Sequence, residues 1–370
     1  MLIPTFVLAF CISVMAGIFV IRCQYARAAQ FMDSDLSGPQ KFHVTPTPRI
    51  GGLPVLLGVL AAWMGGFVTG LVAVHEQGAL LVAAMPVFLA GLTEDLTKRV
   101  SPVARLLAAF FSALLAILLL DAYLMKLALP GIDDFMLSMP LFAMLLTIFS
   151  VGGVCHAINI IDGYNGLMGG VALLILGALA YVAFKVGDQS VLFACMGLAG
   201  AVAGFLIWNF PRGLIFAGDA GAYFVGFMLA ELSVLLVFKH PDKVSPWFPM
   251  LLMIYPVFET IFTIYRRRMR KLAAVLPDSM HFHQIIYKRL VRWMVGSTEV
   301  RHLVDRNSLT ALYLWGVGMF SVVPAMLLWQ YEWALQLGCL LFTLVYLWLY
   351  HRIIHFRTPR WMVLRKIKGQ

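Results

Sequence analysis

Residues 191–209 read VLFACMGLAGAVAGFLIWN, a run with no charged side chain. At 1.5 Å per residue a helix of that length reaches roughly 28 Å, close to the hydrocarbon thickness of a bilayer. Working outward, comparable apolar runs fall at roughly 2–21, 52–74, 78–93, 103–121, 136–157, 168–186, 220–238, 247–264, 308–328 and 333–350. With the first, these predict an all-α polytopic membrane protein of about eleven transmembrane helices, a single integral membrane domain over 1–370. The N-terminal run has almost no basic region before it and no clear cleavage site, so it reads as a span rather than a removed signal peptide.

Composition agrees. The chain is 61% hydrophobic and 12% charged, about half the ~25% charge of a soluble domain. That excludes a soluble enzyme, and the abundance of apolar side chains excludes disorder. The five cysteines, Cys11, Cys23, Cys155, Cys195 and Cys339, are scattered and form no CxxC pair, which argues against a disulfide framework or a zinc site.

The formal charge of +10 is a topology signal. With eleven spans and the N-terminus outside, the outer connections hold only Lys126, Lys185, Lys239 and Lys243. The remaining Lys and Arg fall inside, many of them between Arg266 and Arg306 or after His351. This asymmetry places the C-terminus and the segments near 22–51, 94–102, 158–167, 210–219, 265–307 and 351–370 in the cytoplasm. It leaves no reason to invoke nucleic acid. A basic face of this kind attracts anionic lipid headgroups and polyanionic substrates instead.

Four polar clusters sit at the cytoplasmic helix ends, where acids are expensive and default to functional candidates. The first is the pair Glu94-Asp95 before Lys98-Arg99; adjacent carboxylates suit a divalent cation or a base, and a solvated loop is the plain alternative. The second is Asn159, Asp162 and Asn165, whose spacing of three puts them on one helical face, with no local cation to balance Asp162. The third runs from Asn209 through Phe216 to Gly218-Asp219, where Asp219 opens a span as an N-cap or as a metal ligand. The fourth is His281-Phe282-His283 in the basic loop, suited to phosphate or metal. Hard oxygen ligands on one membrane face suit a Mg²⁺-bridged diphosphate.

Together these residues resemble the polyprenyl-phosphate N-acetylhexosamine-1-phosphate transferases, a family that includes phospho-N-acetylmuramoyl-pentapeptide transferase. The resemblance rests on His43 with Pro46-Thr-Pro-Arg49-Ile-Gly51-Gly52, Glu94-Asp95, Asn159 with Asp162-Gly163, Phe216-Ala-Gly218-Asp219 and His281-Phe-His283. It implies transfer of a sugar-1-phosphate from a UDP-N-acetylhexosamine to polyprenyl phosphate, with release of UMP. It further implies Mg²⁺, or Mn²⁺ in its place, a bacterial inner-membrane location with a cytoplasmic active site, and a homodimer as in some relatives.

In that reading Asp219 and Asp162 hold the metal, and Glu94 or Asp95 orients or deprotonates the lipid phosphate. Asp162, Asn159, Asn165, Asn209 and Phe216 serve the donor. His281 and His283 clamp the diphosphate, and Lys41, His43 and Arg49 add positive charge. Glu259 matches an acidic position of the family and is expected to stand behind the site. The chain departs from the family in having Glu94 for the usual Asp, His156 for the first Asn of its motif, and Gln284 for a third histidine. These changes argue against the muramoyl-pentapeptide branch. The rival readings are a transporter or flippase using Glu231 and Glu259 within the membrane, and an inactive homologue.

Overall fold

The computed structural model describes residues 2–26, 32–33, 47–70, 74–269, 280–291 and 300–355. They form a helical bundle: α1 Leu2–Ala26, α2 Gly52–Val68, α3 Val74–Thr97, α4 Pro102–Leu120, α5 Ile132–Ser138, α6 Pro140–Ile161 and α7 Leu167–Val186. The chain continues with α8 Gln189–Asn209, α9 Gly218–Lys239, α10 Trp247–Leu252, α11 Ile254–Met269, α12 Phe282–Ile285, α13 Val300–Leu328 and α14 Glu332–Ile354. A π-helical turn, Ile286–Val291, extends α12. The described strand content is one two-residue antiparallel pairing, Met32–Asp33 with Thr47–Pro48.

Among the described residues nine helices are long and apolar enough to cross a membrane: α1, α3, α4, α6, α7, α8, α9, α13 and α14. The expected count of eleven differs from this at two places. The run at 52–74 yields a helix of only 17 residues, ending at Val68. The run at 247–264 is broken at Met253 into α10 and α11. Pro249 and Pro256 flank that break, and neither can donate a backbone hydrogen bond to a continuous helix. Periodicity and hydropathy do not register such an interruption. Two boundaries also move. Helix α3 runs to Thr97, so Glu94 and Asp95 stand on its last turns rather than in a loop, and α6 starts at Pro140 after the separate turn α5.

Helix ends follow local chemistry. Ser101 caps α4 by accepting from Ala104 N at 3.1 Å, with Pro102 at the first helical position. Asp188 caps α8 by accepting from Val191 N at 2.9 Å. Helix α9 is the axis of the bundle, almost wholly buried and packed against α2, α3, α6 and α7. Helices α1 and α8 cross closely because small residues line the seam: a Cβ on Gly204 would stand 2.6 Å from the Phe10 carbonyl oxygen.

At one end of the bundle the charges are spent on each other. Lys239 reaches Glu76 at 2.6 Å and Asp188 at 3.8 Å, and His240 Nε2 meets Asp188 at 3.1 Å. The other end holds the motif residues.

Candidate active site

The site is assembled around the first turn of α9. The segment before α9 runs beside the segment before α2: Phe216 N donates to the Pro48 carbonyl at 2.8 Å, and Gly51 N and Gly52 N donate to the carbonyls of Phe216 and Ala217, both at 2.9 Å. Two motifs distant in sequence are thus stitched backbone to backbone. Gly218 lies at the junction with φ +70°, in the left-handed region where a side chain is strained. A Cβ there would overlap the Arg49 carbonyl oxygen and stand 2.5 Å from Asp95 Oδ2.

Asp219 sits in that first turn. Its Oδ1 accepts from Asn159 Nδ2 of α6 at 3.1 Å, and its Oδ2 pairs with the Arg105 guanidinium of α4. Asp95 reaches over from α3 and accepts from Asp219 N and Ala220 N, both at 2.9 Å. A carboxylate on these otherwise unpaired amides satisfies them and faces the positive end of the helix dipole. Below this layer, Tyr223 OH lies 3.3 Å from His156 Nδ1, so α6 and α9 meet through a short polar ladder.

Glu94 points elsewhere: its Oε2 accepts from Val100 N at 2.7 Å, closing the turn that follows α3. The two neighbouring acids therefore do different work. Asp95 holds the backbone that carries Asp219, and Glu94 shapes a loop. Asp95→Asn should remove one of the two α9 cap bonds, a loss of about 1 kcal/mol that misplaces Asp219, so turnover falls about tenfold. Glu94→Asp, at a more exposed turn, should stay within about twofold of wild type. Turnover of both variants with one lipid acceptor checks this; an active Asp95→Asn beside a dead Glu94→Asp reverses the assignment.

Asp162 follows the end of α6, and burial pushes its carboxyl up to about 7 against the opposing pull of the Arg49 guanidinium. A cation arriving beside it would favour its ionised form. The next residues face the histidine loop. The His283 ring packs edge-on against Tyr164, with centroids 5.4 Å apart, and a Cβ on Gly163 would lie 3.8 Å from His283 Nε2. His281 stacks on His283 with centroids 5.0 Å apart.

Glu259 of α11 anchors that loop, as expected of an acid behind the site. It accepts from Phe282 N at 2.9 Å and from Tyr346 OH at 2.5 Å, and it meets His281 Nδ1 at 3.2 Å. Glu259→Gln replaces one acceptor oxygen by a donor in a fully buried cluster. We expect about 2 kcal/mol of lost stability and a loosened histidine loop. A thermal unfolding scan of the purified variant checks this; an unchanged midpoint would remove Glu259 from this role.

Two residues expected to touch substrate are occupied otherwise. Asn209 accepts from Gly166 N at 2.6 Å and donates to the Ile215 carbonyl at 2.8 Å. Asn165 donates to the Pro211 carbonyl at 2.9 Å, and its backbone N is held by Asn307 Oδ1 at 2.7 Å. Both tie the loop after α6 to the loop after α8. Phe216 joins the site through its backbone N and carbonyl. Lys41 and His43 lie outside the described residues.

Arg105 and Asn307 escaped the sequence reading. Arg105 did carry a signal, as a lone cation inside an apolar run, where a charge is costly and seldom idle. Asn307 carried none. Glu231 is buried at the middle of α9, and one of its carboxylate oxygens has no partner among the described residues.

Among the described residues, no three His, Cys, Asp or Glu side chains are grouped to enclose a metal. Mg²⁺ needs less: one or two carboxylates, completed by phosphate oxygens and water. The carboxylate oxygens of Asp219 and Asp162 are of the hard type that Mg²⁺ takes.

Residues 78–237, from α3 through most of α9, match glycosyl transferase family 4. A probable undecaprenyl-phosphate N-acetylglucosaminyl 1-phosphate transferase of Bacillus subtilis is 27% identical over 75% of this chain and 76% of its own. The decaprenyl-phosphate N-acetylglucosaminephosphotransferase of Mycobacterium leprae is 31% identical over 74% of this chain and 71% of its own. The phospho-N-acetylmuramoyl-pentapeptide-transferase of Lactobacillus acidophilus is 32% identical, over 43% of this chain and 50% of its own. With Asp95, Asn159 and Asp219 converging inside the matched region, the chain belongs to glycosyl transferase family 4 and is an enzyme of the polyprenyl-phosphate N-acetylhexosamine-1-phosphate transferase kind.

Proposed function

We propose that the protein transfers N-acetylhexosamine-1-phosphate from a UDP-sugar to polyprenyl phosphate, at the cytoplasmic face of a bacterial inner membrane, and so starts a lipid-linked envelope glycan. The observation that carries this reading is Asp219: a carboxylate fixed at a helix start by α3, α4 and α6, at the end of a membrane bundle where Arg49, Arg105 and the histidine loop also gather. Its relatives act, by their names, on undecaprenyl and decaprenyl phosphates.

A lipid phosphate oxygen attacks the β-phosphorus of the UDP-sugar. The bond from that phosphorus to the bridging oxygen breaks, and UMP leaves with the electron pair. Such transfers depend on alignment and charge neutralisation more than on covalent help from the protein. Arg49 and Arg105 offset phosphate charge, and His281 and His283 border the diphosphate. Asp219 and Asp162 would hold a Mg²⁺, which would supply positive charge to the diphosphate.

Membranes carrying the protein, given polyprenyl phosphate and a panel of UDP-N-acetylhexosamines, should release UMP with at least one donor. Release that does not depend on polyprenyl phosphate would overturn the reading. The orientation has its own check. Ser279→Cys should react with an impermeant thiol reagent only from the cytoplasmic side, and labelling from the outside alone would invert the topology.

A further inference from the structure

We propose that the cleft between the ends of α11 and α14 is a seat for an anionic glycerophospholipid, separate from the transfer site. The cleft has a volume of about 370 Å³ and is lined by Phe262, Tyr265, Arg266, Leu347, Tyr350 and His351, among others. Its lining is mostly aromatic and aliphatic, and Tyr265 and Met269 are exposed. Two basic side chains, Arg266 and His351, line it, and further cations neighbour them in the chain. Arg266, Arg267 and Arg268 occupy the last turn of α11, and His351 and Arg352 the last turn of α14.

A largely apolar lining with basic side chains in it, at the ends of two helices of a membrane bundle, suits an acyl chain and a phosphate headgroup together. A neutral lipid would gain from the wall and nothing from the cations. A free phosphate would gain from the cations and nothing from the wall.

The seat is wired to the histidine loop. Arg266 donates to the Met280 carbonyl at 2.8 Å and to Tyr350 OH at 3.0 Å, and Tyr350 OH donates to the same carbonyl at 3.2 Å. Met280 immediately precedes His281. A headgroup drawing on Arg266 therefore acts on the backbone that sets His281 and His283, which gives the bound lipid a route to the site.

The test uses the full-length protein in nanodiscs of equal phosphatidylglycerol and phosphatidylcholine, extracted gently and weighed by native mass spectrometry. Wild type should retain phosphatidylglycerol over phosphatidylcholine. Arg266→Gln removes one cation and should lower that retention about fivefold. Leu347→Trp fills the cleft from an exposed position, keeps the buried network, and should lower it as far. Leu118→Trp, on the exposed face of α4, should change nothing. Equal retention of the two lipids, or full phosphatidylglycerol retention by Leu347→Trp, would overturn the proposal. So would one-for-one displacement of phosphatidylglycerol by polyprenyl phosphate, which would assign the cleft to the acceptor. The readout needs no turnover, so it stands or fails independently of the transfer activity.

Discussion

Asp219→Asn should insert and fold, yet turn over at least about 10²-fold more slowly, a loss on the order of 3 kcal/mol of transition-state stabilisation. The amide keeps the size of the side chain and an acceptor for Asn159 Nδ2. Its other end becomes a donor facing the Arg105 guanidinium, where Oδ2 now pairs with it. Two donors then oppose each other in a largely buried contact, and the charge that offsets Arg105 and draws a divalent cation is gone. The backbone is untouched, because Asp95 caps the α9 amides and does not depend on the Asp219 side chain. The defect should therefore appear in kcat, in a protein that still unfolds cooperatively in detergent, with its midpoint lowered by the lost Arg105 pair. Near-wild-type turnover at low Mg²⁺ would show that this carboxylate is not the metal ligand.

Gly218→Ala should do more damage with a smaller chemical change. The new methyl group meets a backbone carbonyl, which has nowhere to go because the Arg49 segment is pinned by the three hydrogen bonds between Pro48, Gly51, Gly52 and the Phe216-Ala217 pair. The left-handed φ adds strain of about 1 kcal/mol or more, and the overlap adds several kcal/mol unless the segments separate. Separation pulls Asp219 away from Asp95. We expect a loss of activity of at least about 10²-fold together with a lowered unfolding midpoint. Gly177→Ala is the matching control. It lies inside α7 with nothing within 4 Å of the added Cβ, so both readouts should hold. Equal behaviour of the two variants would mean that the junction at Gly218 is not tightly closed.

Much of the molecule was legible in one dimension. Apolar runs of the right length announced the helical membrane bundle, because hydrocarbon demands that every backbone group be paired within its own segment. The motif acids stood out because charges are rare and costly beside such runs. The interrupted run at 247–264 shows the limit of that reading: hydropathy registers what a residue prefers to touch, and Pro249 and Pro256 act instead on whether a helix continues.

The sequence by itself determined the class of the protein, its family resemblance and the residues from which a site would be built. Only the tertiary structure decided their division of labour. Glu94 and Asp95 are neighbours in the chain, yet one closes its own turn and the other caps a helix more than a hundred residues away. Asn165 and Asn209 carry the chemistry of substrate ligands and are spent on loop carbonyls and amides. Arg105 was hidden in an apolar run until α4 packed beside α9. The physical reason is the same in each case. A polar group near the membrane must find a partner, and which partner it finds depends on helices that meet in space and are far apart in the chain.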